Sequence, residues 1–297
     1  MLKGLFFQLI ASAFFALMSA CVYAAHLTAP DSGSLHISFV RAAVNLIVIV
    51  LPICLISRDW KMLWGDGRWS LWWRGLFGGT SLMLSFAGTQ AIGIAESSFL
   101  HSSNAFFVAA LAPAMLGQKN PATIWFILLT SLFGMYLLMQ PRFDDLHHLG
   151  RAASLASGLA GALAYLMIAR AGKTNHPTTI IFYFSLVACL LHLVLLPFDH
   201  TPWPSNAKYW WLAIGAGIFA TAAQYFMTRA YQQAPAVLSA IVGYASPVFS
   251  LILGIMLFGR VPDHQALVGS AVIIGCGVVL PLIQARKIRE STVEVVA

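Results

Sequence analysis

Apolar runs of roughly 20 residues recur along the whole chain, and each, as a helix, is long enough to cross about 30 Å of hydrocarbon. In lipid the backbone polar groups have no water to bond, so segments of this kind must be helices that satisfy their own N–H and C=O groups. With Pro, Gly and charge as punctuation, spans fall near 4–26, 35–56, 73–93, 96–117, 121–140, 152–171, 177–198, 208–230, 235–258 and 264–284. Ten is the simplest count, with nine or eleven allowed by the same pattern. Composition agrees: 59% of residues are hydrophobic and 9% charged, against about 25% charged in a soluble domain. The fold class expected is therefore an all-α membrane protein.

Positive charge sets the orientation. With the amino end inside, the inner segments hold eleven Lys and Arg residues: Lys3, Arg58, Lys61, Arg68, Arg74, Lys119, Arg170, Lys173, Arg286, Lys287 and Arg289. The outer loops hold four, Arg142, Arg151, Lys208 and Arg260. Both termini are thus expected in the cytoplasm of a bacterial inner-membrane protein. The net charge of +7 lies in these loops and the carboxyl end rather than on a basic helix face, which excludes a nucleic-acid partner. Trp60, Trp64, Trp69, Trp72 and Trp73, with Trp203, Trp210 and Trp211, suit interfacial belts. Cys21, Cys54, Cys189 and Cys276 have no metal-ligand spacing and read as packing residues. Lys3 and the stretch ending at Cys21 resemble a signal sequence, but the apolar run continues to about Ala25 and is read as a first span.

The chain also repeats itself. Asn104-Ala-Phe-Phe-Val is followed by Gly117 and Pro121 as Ser246-Pro-Val-Phe-Ser is followed by Gly259 and Pro262. These segments are the fourth and ninth spans. Five spans per half is odd, so the second half must enter the membrane upside down, the inverted-repeat plan of secondary transporters. The expected divisions are 1–145, 146–285 and a basic tail, 286–297.

Ala230-Tyr-Gln-Gln-Ala-Pro-Ala-Val-Leu-Ser-Ala-Ile-Val-Gly-Tyr-Ala-Ser-Pro-Val-Phe-Ser through Gly259, with Gly269 to Leu280, resembles the carboxyl-terminal half of an EamA domain. That domain is the repeat unit of the drug/metabolite transporter superfamily. Phe39-Val-Arg-Ala-Ala-Val-Asn45 is similar to its second-helix Arg motif, and 95–140 to the end of its first repeat. The chain departs from the family pattern at Gln118 and Arg260, where an acidic residue is usual, and at Ala105, opposite Pro247 in the second repeat. The resemblance implies a ten-helix carrier whose cavity is walled mainly by helices 1, 3, 4, 6, 8 and 9, with 5 and 10 peripheral.

Ionisable groups within spans are costly and need a partner or a water-filled cavity. Arg41 lies about 9 Å along the second span from its outer end, and Glu96 begins the fourth on the same side, so the two are expected to pair. His101 stands at nearly the depth of Arg41, and Gln90 closes the third span, which completes an expected outer gate or coupling cluster of Arg41, Gln90, Glu96 and His101. Arg229, roughly opposite Gln90 by the repeat, is its inner counterpart or snorkels to the interface. Near the midplane, Ser19, Asn104, Tyr165, Tyr244 and Ser246 are uncharged groups suited to orienting a small solute. His192 reads as a packed histidine, and His147 and His148 beside Asp144 and Asp145 as a polar loop.

Covalent chemistry finds no support: metalloprotease, serine-hydrolase and paired-carboxylate motifs are absent, and Gly172-Lys173-Thr174 lacks the first Gly of a phosphate-binding loop. The expected function is a secondary transporter of small polar metabolites working by alternating access, an exporter of amino acids or related metabolites. An importer or exchanger of a vitamin or nucleoside-like solute is the alternative, and an intramembrane lipid-modifying enzyme a more remote one. No cofactor or metal is expected. The partners expected are a small-molecule substrate, the bilayer and a proton or solute counter-gradient, with the protein a monomer or weak homodimer.

Overall fold

The computed structural model describes residues 1–143 and 147–296, and for Ser57, Pro281 and 284–296 the backbone alone. Asp144 and Asp145 lie outside the described residues. Every element described is helical: α1 Leu2–Thr28, α2 Ser34–Pro52 with one π-helical turn at Ile53–Ser57, the short α3 Lys61–Trp64, α4 Trp69–Ile92, α5 Ile94–His101, α6 Asn104–Leu116, α7 Ala122–Met139, α8 His148–Ala171, α9 Pro177–Leu195, α10 Ala207–Gln233, α11 Ala236–Gly243, α12 Ala245–Phe258 and α13 His264–Val296. Seven units are long and apolar enough to cross a membrane by length and composition: α1, Ser34–Ile56, Ile94–Leu116, α7, α8, Pro177–Phe198 and Ala236–Phe258. His264–Leu280 is a shorter apolar helix. Helices α4 and α10 have the length, 24 and 27 residues, but carry Arg74 in the one and Gln224 and Arg229 in the other.

The fourth and ninth spans, expected as single helices, are each interrupted one turn before their middle. In the first, the Ser102 and Ser103 hydroxyls donate back to the Ser98 carbonyl at 2.7 Å and the Leu100 carbonyl at 2.6 Å, a competition with the backbone that bends helices. In the second, Pro247 has no N–H for the Gly243 carbonyl, and the Tyr244 N–H tightens onto Ile241 at 3.1 Å. Both spans end alike. Gly117 and Gly259 take left-handed φ of 69° and 62°. Their N–H groups bond back to Pro113 and Ile255, and those of Gln118 and Arg260 bond to Ala112 and Gly254, the six-to-one closure in which a glycine avoids a Cβ clash.

Helix pairing exchanges between the halves. Helix α1 lies along α10 as α8 lies along α4; α4 packs on α9 as α10 packs on α2; and α7 pairs with α13. Small residues permit these approaches. A Cβ on Gly75 would stand 2.7 Å from Val187 of α9, and one on Gly217 would stand 2.5 Å from Val44 of α2. Loops collect at two ends. At one, Asp66 N–H bonds the Asn175 side chain, the Gln232 side chain bonds the Asn175 carbonyl, and the Gln118 carboxamide accepts from the Ala236 N–H at 3.0 Å. At the other, Gln90 bonds Ser34 and Gln140 bonds Asp263.

Candidate transport site

Between the helices lies a cavity of about 180 Å³. Its walls come from α1, α2, α4, α5, α8, α9 and α10, that is, from spans one, two, three, four, six, seven and eight. This corrects the wall set implied by the family resemblance. Helices α2 and α9 reach the cavity with Arg41, Ala42, Asn45 and Phe184, because α4 and α10 lean on them through glycine contacts, while the ninth span contributes no lining residue among those described.

Arg74 is the main departure from the sequence reading. Counted as an inner-loop cation, it sits in α4, which begins at Trp69, and is 2% exposed. Its Nη2 donates to Gln224 Oε1 at 3.0 Å, its guanidinium lies 4.3 Å from the centre of the Phe184 ring, and its buried Nε has no hydrogen-bond partner among the described residues. Removing it from the loop count leaves ten inner against four outer basic residues. The signal for it was an Arg flanked by Gly and aromatic residues at an apolar boundary, ambiguous without the helix start. Arg41 also lines the cavity, its Nη1 3.3 Å from Met18 Sδ.

Glu96 does not pair with Arg41. Its Oε1 accepts from Arg151 Nε at 2.6 Å, with the two side chains 6% and 21% exposed. Helix α8 brings Arg151, expected in an outer loop, against the start of α5. Gln90 likewise leaves the expected cluster for Ser34, at 3.0 Å. His101 does line the cavity. Its Nδ1 is 2.9 Å from Ser157 Oγ, and that hydroxyl donates to the Ser154 carbonyl at 2.6 Å. Hydrogen-bond accounting then makes Nδ1 the donor and leaves the lone pair on Nε2. Beyond the Ser154 carbonyl lies a separate cluster of hydroxyls, in which Ser154 and Thr89 both donate to Ser97.

Of the five uncharged groups expected at the midplane, Tyr165 lines the cavity. The Tyr244 hydroxyl instead donates to the Ser102 carbonyl at 2.6 Å, joining the two interrupted spans, and Tyr244 is 4% exposed. Ser19 is exposed and back-bonded to Phe15. Asn104 and Ser246 are half-buried and outside the lining. Arg229 lies over the Tyr225 ring and bonds its hydroxyl at 3.3 Å. His192 is buried, with its nitrogens 2.7 Å from the Ala188 carbonyl and 2.8 Å from Ser38 Oγ. Sequence reasoning passed over Arg74, Asn45, Ser81 and Gln224.

Tyr165 packs on Tyr231 with ring centres 5.3 Å apart. Tyr231 in turn lines a second cavity of about 290 Å³, with Gln118, Lys173 and Gln232, at the end where α10 meets α11. The tyrosine pair therefore stands between the two spaces.

A cavity of mixed polar and apolar lining, set among helices of which several are long and apolar enough to cross a membrane, fits a membrane carrier. Residues 148–282 match the EamA-like transporter family. The chain is 27% identical to the pseudopaline exporter of Pseudomonas aeruginosa strain UCBPP-PA14 over 92% of this chain and 93% of that one. It is 26% identical to human solute carrier family 35 member G1 over 93% of this chain and 78% of that one. A riboflavin transporter of Vibrio cholerae is 26% identical over about half of each, 54% and 53%. A protein solved by crystallography superposes with a TM-score of 0.81 over 95% of this chain and 98% of that one, at 18% identity, a likeness of fold. The carboxyl-terminal half of the chain is thus similar to EamA-like transporters, and the whole chain to curated bacterial and human transporters. It is a multi-pass membrane transporter of small metabolites and not an enzyme.

Proposed function

We propose that this carrier is a secondary transporter that exports small polar metabolites across a bacterial inner membrane by alternating access, with the central cavity as its binding site. The observation that carries this reading is a pair of cavities, one lined by Tyr165 and the other by Tyr231, with the contact between the two tyrosine rings as a gate. The export direction rests on the full-length likeness to the pseudopaline exporter. An importer of a vitamin is the second reading, favoured by the half-length likeness to the riboflavin transporter.

The exchange of helix pairs between halves supports two inverted repeats, 1–145 and 146–285, that rock about the cavity. The excess of basic residues assigned to the end holding Asp66 and Gln118 supports a reading in which that end and both termini face the cytoplasm. His101, which lines the cavity and bonds the Ser157 hydroxyl through Nδ1, is the candidate for proton coupling. Arg41 belongs to the substrate site, and the Glu96–Arg151 pair to the outer rim.

Reconstitution in ATP-free proteoliposomes tests the reading, with counterflow of a metabolite panel measured under imposed proton and solute gradients. Uptake that collapses when the gradient is removed is expected. Strict dependence on added ATP would exclude a secondary carrier. A single cysteine at Asn120 in a cysteine-free variant should stay unlabelled by an impermeant thiol reagent added to right-side-out vesicles, whereas one at Ser32 should react. The opposite pattern would invert the topology.

A further inference from the structure

We propose that the central cavity recognises an organic oxyanion, a carboxylate or a phosphate, through Arg41 and Arg74, and that the rest of the ligand is apolar or aromatic. This rests on the transport reading of the same cavity and specifies its substrate class. A guanidinium is charged at every physiological pH, and taking it out of water is costly unless an opposite charge meets it. Two face this cavity, and no Asp or Glu is among its lining residues. Among helices α1 to α12 the single acidic residue is Glu96, whose carboxylate is held by Arg151.

Neighbouring groups do not cancel the charge. Among the described residues Arg74 meets the neutral Gln224 carboxamide and the Phe184 ring, and its buried Nε donor has no partner. Arg41 has a thioether, Met18 Sδ. The Asn45 carboxamide, 3.0 Å from the Thr221 hydroxyl, adds a neutral polar group to the wall. The site therefore presents donors and positive charge in excess, the complement of an oxyanion that the planar guanidinium fork can grip in bidentate fashion. Phe15, Phe184 and Tyr165 supply apolar walls that suit a hydrocarbon or ring. A cationic solute would meet two like charges.

The test uses the purified full-length carrier in detergent, its melting temperature followed against acetate, glutamate, citrate and inorganic phosphate. Putrescine and glucose are the cationic and neutral controls, and ionic strength is matched with chloride. At least one oxyanion should raise the melting temperature saturably while the controls do not. A response to the carboxylates identifies a carboxylate ligand, and a response to phosphate alone a phosphate ligand. Arg41→Gln and Arg74→Gln should each weaken the apparent affinity by about tenfold or more, as loss of a charge-assisted pair does, with Arg41→Lys and Arg74→Lys in between. Stabilisation by glucose or putrescine with none by any oxyanion overturns the proposal, as does oxyanion binding indifferent to both Gln variants. Proteoliposome flux separates the two readings. Oxyanion binding without flux counts against transport and leaves the site assignment standing, whereas flux of neutral solutes that no oxyanion inhibits refutes the anion site and leaves transport standing.

Discussion

Glu96 and Arg151 form the one ion pair between described residues of different helices, and its geometry sets a size for the effect of breaking it. The contact is short, 2.6 Å, and the carboxylate is nearly buried at 6% exposure, while Arg151 is 21% exposed and also lies 5.6 Å from the centre of the Phe143 ring. Removing one partner of a fully buried pair costs about 3–5 kcal/mol, because the remaining charge is left uncompensated. Partial exposure of Arg151 and its other contacts leave its charge partly compensated, so Glu96→Ala should cost roughly 1–3 kcal/mol. Arg151→Ala should fall in the same range, since it strands the more buried carboxylate. In a double-mutant cycle the two losses should be coupled by about 1–3 kcal/mol. The companion cycle, Arg41→Ala with Glu96→Ala, should be additive to within about 0.5 kcal/mol, as for residues that share no contact. Reversible unfolding in mixed SDS micelles measures both cycles. Coupling between Arg41 and Glu96 as large as that between Arg151 and Glu96 would refute the reassignment of the pair.

Three further outcomes are expected. Tyr231→Ala should open the partition between the cavities, so that a cysteine at Ser81 reacts with a thiol reagent from the Lys173 end faster than in the Tyr231 protein; an unchanged labelling rate would remove the tyrosine stack as a gate. Gln118→Leu removes the acceptor for the Ala236 N–H at the start of α11 and should lower stability by about 1 kcal/mol, measurable in the same micelle assay. Asp66, in the loop before α4, is pushed up by partial burial but held below the usual carboxylate range by hydrogen bonds from Thr174 and Asn175 and by Arg68. A depressed carboxylate contributes stability that is present above its unfolded pKa of about 3.9 and is lost as pH falls through the folded value. Asp66 is largely exposed, so the acid-side loss, compared with Asp66→Asn in a pH titration of stability, should be small but of that sign.

The apolar runs determined the all-helical class and the order of most helices, though not the breaks in the fourth and ninth spans or the end of α13, because span length and backbone satisfaction in lipid are properties of each segment alone. The repeated glycines were legible for the same local reason: Gly117 and Gly259 close their helices through bonds to residues five or fewer positions before the glycine. Arg41 and His101, expected within spans by counting residues, both line the cavity. What spacing could not supply was the neighbour on each helix face. Arg74 looked like a loop cation until the start of α4 at Trp69 put it inside. Glu96 had a plausible partner at the right depth, yet α8 lies closer and offers Arg151. Tyr244 had the right polarity for a ligand and instead bonds the broken fourth span through Ser102. Depth follows from the rise along one helix, whereas partnership depends on which helices pack and how each is rotated. Those are decided by contacts between distant parts of the chain, such as Gly75 on Val187 and Gly217 on Val44, and exist only in the assembled bundle.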